Sequence, residues 1–241
     1  MRQCLASAFL MLCWWSYAQD GFFVKAEMFF EHRMVNNRIN YQNLQSDTGD
    51  LDSLVFLIAN MNETTLEDDE YLAFYINAYN LLVIKGVINR YPFRNLLEQE
   101  GFFDQDQYLV AGEAMTLDDL EFKKLFARER DPRFHFVLNC AAYSCPTPFN
   151  GALLPHELED QLEYAIKLVM DRDDYVFVDH ARKKVLVSKV FEWYVEDFSQ
   201  HQTLRQFINR NRFTSIPRDY DIDYLPYDWR LNDSNPPNDG D

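Results

Sequence analysis

The sequence predicts an α+β fold, a single compact domain in which helices pack around a small antiparallel sheet. Three observations lead there. Apolar residues recur at helical spacing near the start, the apolar stretch 66–90 reads as a long central helix, and from residue 108 short strand patterns alternate with helical ones. The chain has 241 residues, 47% hydrophobic and 16% aromatic, enough for one core. No repeat or Pro/Gly/Ser linker divides it.

Taken in order, Phe22, Phe23, Ala26, Phe29 and Phe30 form one helical stripe, and Leu51, Leu54, Val55 and Ile58 form another. Asn36-Asn37 between them signals a turn or small hairpin. The central helix is entered through Thr64-Thr65, carries acids at 67–70 that complement its dipole, and stops before Pro92. A hairpin turning at Gly112 is expected over 108–115, followed by a helix capped by Thr116. A strand is expected over 135–140 after Asp131-Pro132, then a helix from Pro155 to about Met170. A second hairpin pairs 175–178 with 185–187, helices cover 190–198 and 204–209, and Tyr227-Asp228-Trp229-Arg230-Leu231-Asn232 seals the core.

Residues 1–18 read as a secretory signal peptide: Arg2, an apolar run from Cys4 to Trp15, and Ser16-Tyr17-Ala18 as the cleavage pattern. The apolar run is shorter than the ~20 residues a spanning helix needs, so the expected product is exported, periplasmic or extracellular, with no transmembrane segment. Residues 19–232 form the domain, and 233–241, without apolar residues, read as a disordered tail. With 23 Lys+Arg against 39 Asp+Glu the net charge is −16, and no basic stripe offsets it. Such a surface repels phosphate backbones and anionic lipids, so nucleic acid is excluded as a partner.

Two places carry chemistry. Asn77 and Asn80 lie three apart on the central helix among core-type neighbours, so their amides need partners: a backbone they clamp, or a ligand or oxyanion. The second is His135-Phe-Val-Leu-Asn-Cys-Ala-Ala-Tyr-Ser-Cys-Pro146. On a regular strand His135 and Asn139 share one face while Cys140 joins the apolar face, which favours Cys145 as the partner of His135. Cleavage after Ala18 removes Cys4 and Cys13, and an oxidising compartment then favours a Cys140–Cys145 disulfide. Buried thiols, a catalytic Cys145 and a metal or redox role are the alternatives. The histidines have no ligand spacing, so no metal or cofactor is expected.

Together AFYINAYN with the following YP, DPRFHFVLNCAAYSCP, QLE, SKVFEWYVEDF and YDWRLN resemble, in that order, the family known as domain of unknown function 547, whose members include exported bacterial proteins. The resemblance implies one compact α+β domain without a settled activity, and it marks Asn77, Asn80, His135, Cys140 and Cys145 as motif positions. A remote relationship to papain-like or transglutaminase-like folds would need a permuted site, because the cysteines follow the histidine. The expected function is binding of a peptide, glycan or protein partner near Asn77, Asn80 and Asn139. The alternative is a hydrolase or acyl transferase with Cys145 as nucleophile, His135 as base and Asn77 as orienter or oxyanion donor.

Overall fold

A buried helix with amides on it organises the chain. The computed structural model describes residues 21–36, 38–146, 151–200 and 202–236. The expected signal peptide and its expected cleavage point at Ala18 lie outside them. Helix α1 covers residues 21–33, and a two-stranded hairpin, β1 (Met34–Val35) and β2 (Arg38–Ile39), leads to α2 (Tyr41–Ser46) and α3 (Gly49–Ala59). Asn40 caps α2 by accepting from the N–H of Asn43.

Helix α4 (Asp68–Arg90) is the core element. Glu67 and Glu70 form a reciprocal capping box at its start, and nearly every residue from Leu72 to Ile88 is buried. It is long and apolar enough to cross a membrane, but those properties serve burial inside the domain. Gly86 is needed there: a Cβ would come within 2.6 Å of the Tyr108 hydroxyl and 3.1 Å of the Phe102 ring.

The expected hairpin forms from β3 (Tyr108–Val110) and β4 (Glu113–Met115), with Ala111 and Gly112 both at positive φ in the turn. The helix expected after Thr116 is unusual. Thr116 and Asp119 cap each other reciprocally, and Asp119–Leu125 then winds as a π-helix before the short α5 (Phe126–Arg128). Helix α6 (Leu158–Met170) follows a 3₁₀ turn at Pro155–Glu157. The segment expected as one helix over 190–198 is broken at Tyr194 into α7 (Val190–Trp193) and α8 (Val195–Ser199), and α9 is Leu204–Arg210.

The expected second hairpin is β5 (Val176–Asp179) with β6 (Lys184–Val187), and β7 (Asp221–Tyr224) adds parallel to β6. The architecture is α+β, with one parallel edge the sequence did not announce. Asp-Ile-Asp-Tyr lacks an apolar run, and its pairing rests on backbone bonds to β6. The start of the expected tail is packed: Asp233 is buried, accepting from the Tyr91 hydroxyl, and the Ser234 N–H donates to Ile39.

The strand expected over 135–140 does not form. Pro132 enters a 3₁₀ turn over Pro132–Phe136, and the Asp131 carboxylate accepts from the N–H of Arg133. Side-chain amides then take the place of a partner strand. Asn80 donates to the carbonyl of Val137 and accepts from the N–H of Asn139, at 2.8 Å each. Asn77 does the same to one residue, bonding the Leu153 carbonyl at 2.7 Å and its N–H at 2.9 Å. The helix thus holds two irregular segments by amide pincers.

Asn77→Ala leaves a buried N–H and a buried carbonyl of Leu153 without partners, at about 1–3 kcal/mol each. Urea unfolding is expected to report a loss of about 2–6 kcal/mol. A loss below ~1 kcal/mol would mean that the clamp does not hold the segment.

Candidate functional site

The pincers fix the chain on either side of the cysteines. Asn139, buried, donates to the Pro146 carbonyl at 2.7 Å and accepts from the N–H of Ala141 at 2.8 Å, tying both ends of the 139–146 loop. Within this loop Ala141 lies at φ +64°, a left-handed conformation uncommon for a residue with a Cβ. The terminal segment laces over this loop. Asn232 donates through its amide to the Asn139 side chain and through its backbone to Ala141, and Tyr143 donates to Arg230.

Beneath the lacing is a pocket of about 280 Å³. Its walls include Tyr79, Phe103, Phe122, Trp193, Tyr194, Tyr227 and Trp229, and its polar groups are Asp118, Glu121, His135, Cys140 and Cys145. Without a strand, the alternation that would have set Cys140 apart from His135 is lost, and both thiols and the imidazole line one pocket. Asn77, Asn80 and Asn139 are not among its walls; their amides are committed to the loops that shape it. Asn77, fully buried, bonds the Leu153 backbone through both amide atoms and does not line the pocket, so it is not placed to serve an oxyanion there.

Cys140 and Cys145 are free thiols here, and the expected bridge is not formed. The Cys145 sulfur accepts from the backbone N–H of Cys140 at 3.0 Å and lies 3.7 Å from the Leu138 carbonyl. The Cys140 sulfur lies 3.3 Å from the Tyr227 hydroxyl. The two thiols share one easy ionisation. Hydrogen bonding from Cys145, then from Tyr227 and the backbone at Ala142, outweighs burial and lowers Cys140 below an ordinary thiol. Burial and the neighbouring Cys140 charge push Cys145 well up.

His135 is sandwiched between Phe126 and Tyr194, at centroid distances of 4.7 and 3.9 Å. Its Nε2 is 3.0 Å from Asp197, which also pairs with Arg130 at 2.6 Å. Asp197 is held ionised chiefly by His135, while burial lowers the imidazole against the pull of that carboxylate. A neutral ring facing a carboxylate carries its proton on Nε2, which leaves Nδ1 unprotonated. No hydrogen bond joins His135 to either thiol among the described residues.

Glu121 is the residue the sequence reading missed. It sits in the π-helical turn, a geometry common at functional sites, and is almost wholly buried. Burial first, then the charges of Asp118 and Cys140, raise it to about 8 against hydrogen bonds from Tyr79 and Tyr194. The signal was present: Glu121 falls four residues from both Leu117 and Leu125, on a core stripe where an acid has no packing role. Among the described residues no group of three His, Cys, Asp or Glu side chains is placed to hold a metal ion.

Because the folded protein favours neutral Glu121, that group's stabilising contribution is complete below the unfolded value near 4.5 and is lost as pH rises towards about 8. Glu121→Gln is therefore expected to raise stability by about 3 kcal/mol near pH 7. The gain should vanish below about pH 4 in chemical denaturation, and an equal gain at both pH values would contradict a neutral buried acid.

No curated protein and no solved structure matches this chain. Residues 63–168 match the family described as protein of unknown function, DUF547, a stretch that runs from the entry of α4 into α6. It contains Asn77, Asn80, Glu121, His135, Cys140 and Cys145, and leaves out Trp193, Tyr227 and Trp229. The chain resembles the DUF547 family over the clamp helix and the polar floor of the pocket.

Proposed function

We propose that the protein is a thiol-dependent acyl-transferring or hydrolytic enzyme that works through this pocket, with Cys140 as its nucleophile. The observation that carries the reading is the setting of the Cys140 sulfur: beside the Tyr227 hydroxyl at 3.3 Å, next to a constrained residue, in a pocket shared with a buried acid. Its hydrogen-bond partners hold Cys140 below an ordinary thiol, which favours the thiolate without a base, whereas burial holds Glu121 above an ordinary carboxyl, which favours the protonated acid. One group attacks and the other gives a proton.

In the first step the Cys140 thiolate forms a bond to an acyl carbon, the bond to the leaving oxygen or nitrogen breaks, and Glu121 supplies the leaving group's proton. In the second, water or an acceptor nucleophile attacks the thioester and gives its proton to the Glu121 carboxylate. The thiolate is released and the acid restored. His135, held by Asp197, and Tyr194 form the wall beside these groups. The role expected of Cys145 passes to Cys140, and Cys145 supports the charge on its neighbour. Export through the leader would give this enzyme an extracytoplasmic substrate.

A second reading, binding of a peptide, glycan or protein partner without turnover, is favoured by the aromatic wall and by the absence of a bond from His135 to either thiol among the described residues. The two separate on covalent chemistry. Incubation with p-nitrophenyl acetate is expected to release p-nitrophenolate and to leave an acetyl group on Cys140 by peptide mass spectrometry. Cys140→Ser should abolish both signals while Cys145→Ser retains acylation. Acylation on neither thiol, together with saturable ligand binding, would favour the binding reading.

A further inference from the structure

The aromatic wall of the pocket has its own chemistry. Trp193 lies 4.7 Å from Tyr227 and 5.5 Å from Trp229, and Tyr227 lies 4.6 Å from Trp229, all with tilted rings. Trp193 is 46% exposed and stands at the mouth. The ionisable side chains lining the pocket include Asp118 and Glu121 but neither lysine nor arginine. Nearby cations are engaged elsewhere: Arg130 with Asp197, and Lys189 with Glu192 and the face of Tyr224.

We propose that this pocket receives a cationic group, an ammonium or guanidinium carried on a short aliphatic arm, between the faces of Trp193, Tyr227 and Trp229 and the carboxyls of Asp118 and Glu121. Ring faces attract cations through their quadrupole, and the attraction grows as water is excluded. A volume of about 280 Å³ is at the small end for ligand sites and suits one side-chain-sized group. The overall charge of −16 would draw such a ligand in. The inference rests on the pocket being the working site, and it is independent of whether Cys140 turns substrate over.

The charge of Glu121 is then coupled to occupancy. Asp118, Cys140, Tyr79 and Tyr194 face it and bias it towards or away from the neutral acid, while His135 lines the same pocket. A bound cation favours the carboxylate, so binding releases a proton and tightens as pH rises through the range where free Glu121 titrates.

The test titrates tryptophan fluorescence of the full chain, at fixed ionic strength, with Nα-acetyl-arginine amide, Nα-acetyl-lysine amide and the uncharged isostere Nα-acetyl-citrulline amide. Tetramethylammonium and guanidinium ions serve as arms without a peptide frame. Saturable binding of a charged amide is expected, with the citrulline compound at least about tenfold weaker. Saturation by the free ions as well assigns recognition to the cation alone, and saturation by the amides alone assigns it to a peptide-borne cation; either supports the proposal.

Trp193→Leu, at a half-exposed position, should weaken binding roughly threefold to thirtyfold. Glu121→Gln should weaken it and remove the proton release seen by titration in buffers of different ionisation enthalpy. Binding that persists in Cys140→Ser while acylation is lost separates this inference from the proposed chemistry. Equal affinity for the arginine and citrulline compounds, or no saturable response to any cation, would overturn it.

Discussion

The pocket exists because the amide of Asn80 closes on the backbone of Val137 and Asn139. Two hydrogen bonds of 2.8 Å stand in for a strand pairing, and they join a loop to the buried central helix α4. From Asn139 the constraint passes to Ala141 and Pro146, and through Asn232 to the Tyr41 hydroxyl. Every member of this relay has a partner, which allows a polar chain to sit in an apolar core. Its product is a defined position for Cys140.

A loop held this way differs from one in a sheet. A sheet would project alternate residues to opposite faces, whereas the pinned loop turns both thiols and His135 towards one cavity. The constraint also accounts for the acidity difference between the cysteines. Their ionisation is shared, so one sulfur gains the charge with help from Tyr227 and the other is denied it. Glu121, across the pocket, feels that same charge and keeps its proton.

Much of this was legible in the residues. Spacing of apolar positions located α1 and α3, the apolar stretch with its acidic entry located α4, Pro155 marked the start of α6, and the two turn-centred hairpins appeared where glycine or charged turn residues interrupt β-type runs. Asn77 and Asn80 stood out because amides on a core face need partners, and both proved to clamp backbone. The segment 135–140 misled because an apolar, β-prone run is satisfied equally by a partner strand or by side-chain amides distant in sequence. Asn80 is 59 residues from Asn139, a separation that periodicity does not see. Glu121 was hidden by its acidic neighbours, among which it resembles ordinary surface charge, and β7 by its two aspartates.

The account makes Cys140, rather than Cys145, the thiol that ionises first because the clamped loop holds it beside Cys145 and Tyr227. Ultraviolet absorbance of the thiolate, followed against pH in the native protein and in Cys140→Ser and Cys145→Ser, tests this directly. The account predicts a one-thiolate step centred below the ordinary thiol value of about 8.5 in the native protein and no such step in Cys140→Ser. It also predicts that the step persists in Cys145→Ser, where a hydroxyl donor takes the place of the thiol donor. A native step that persists in Cys140→Ser and disappears in Cys145→Ser, or ionisation of both thiols only above about 9, would contradict it.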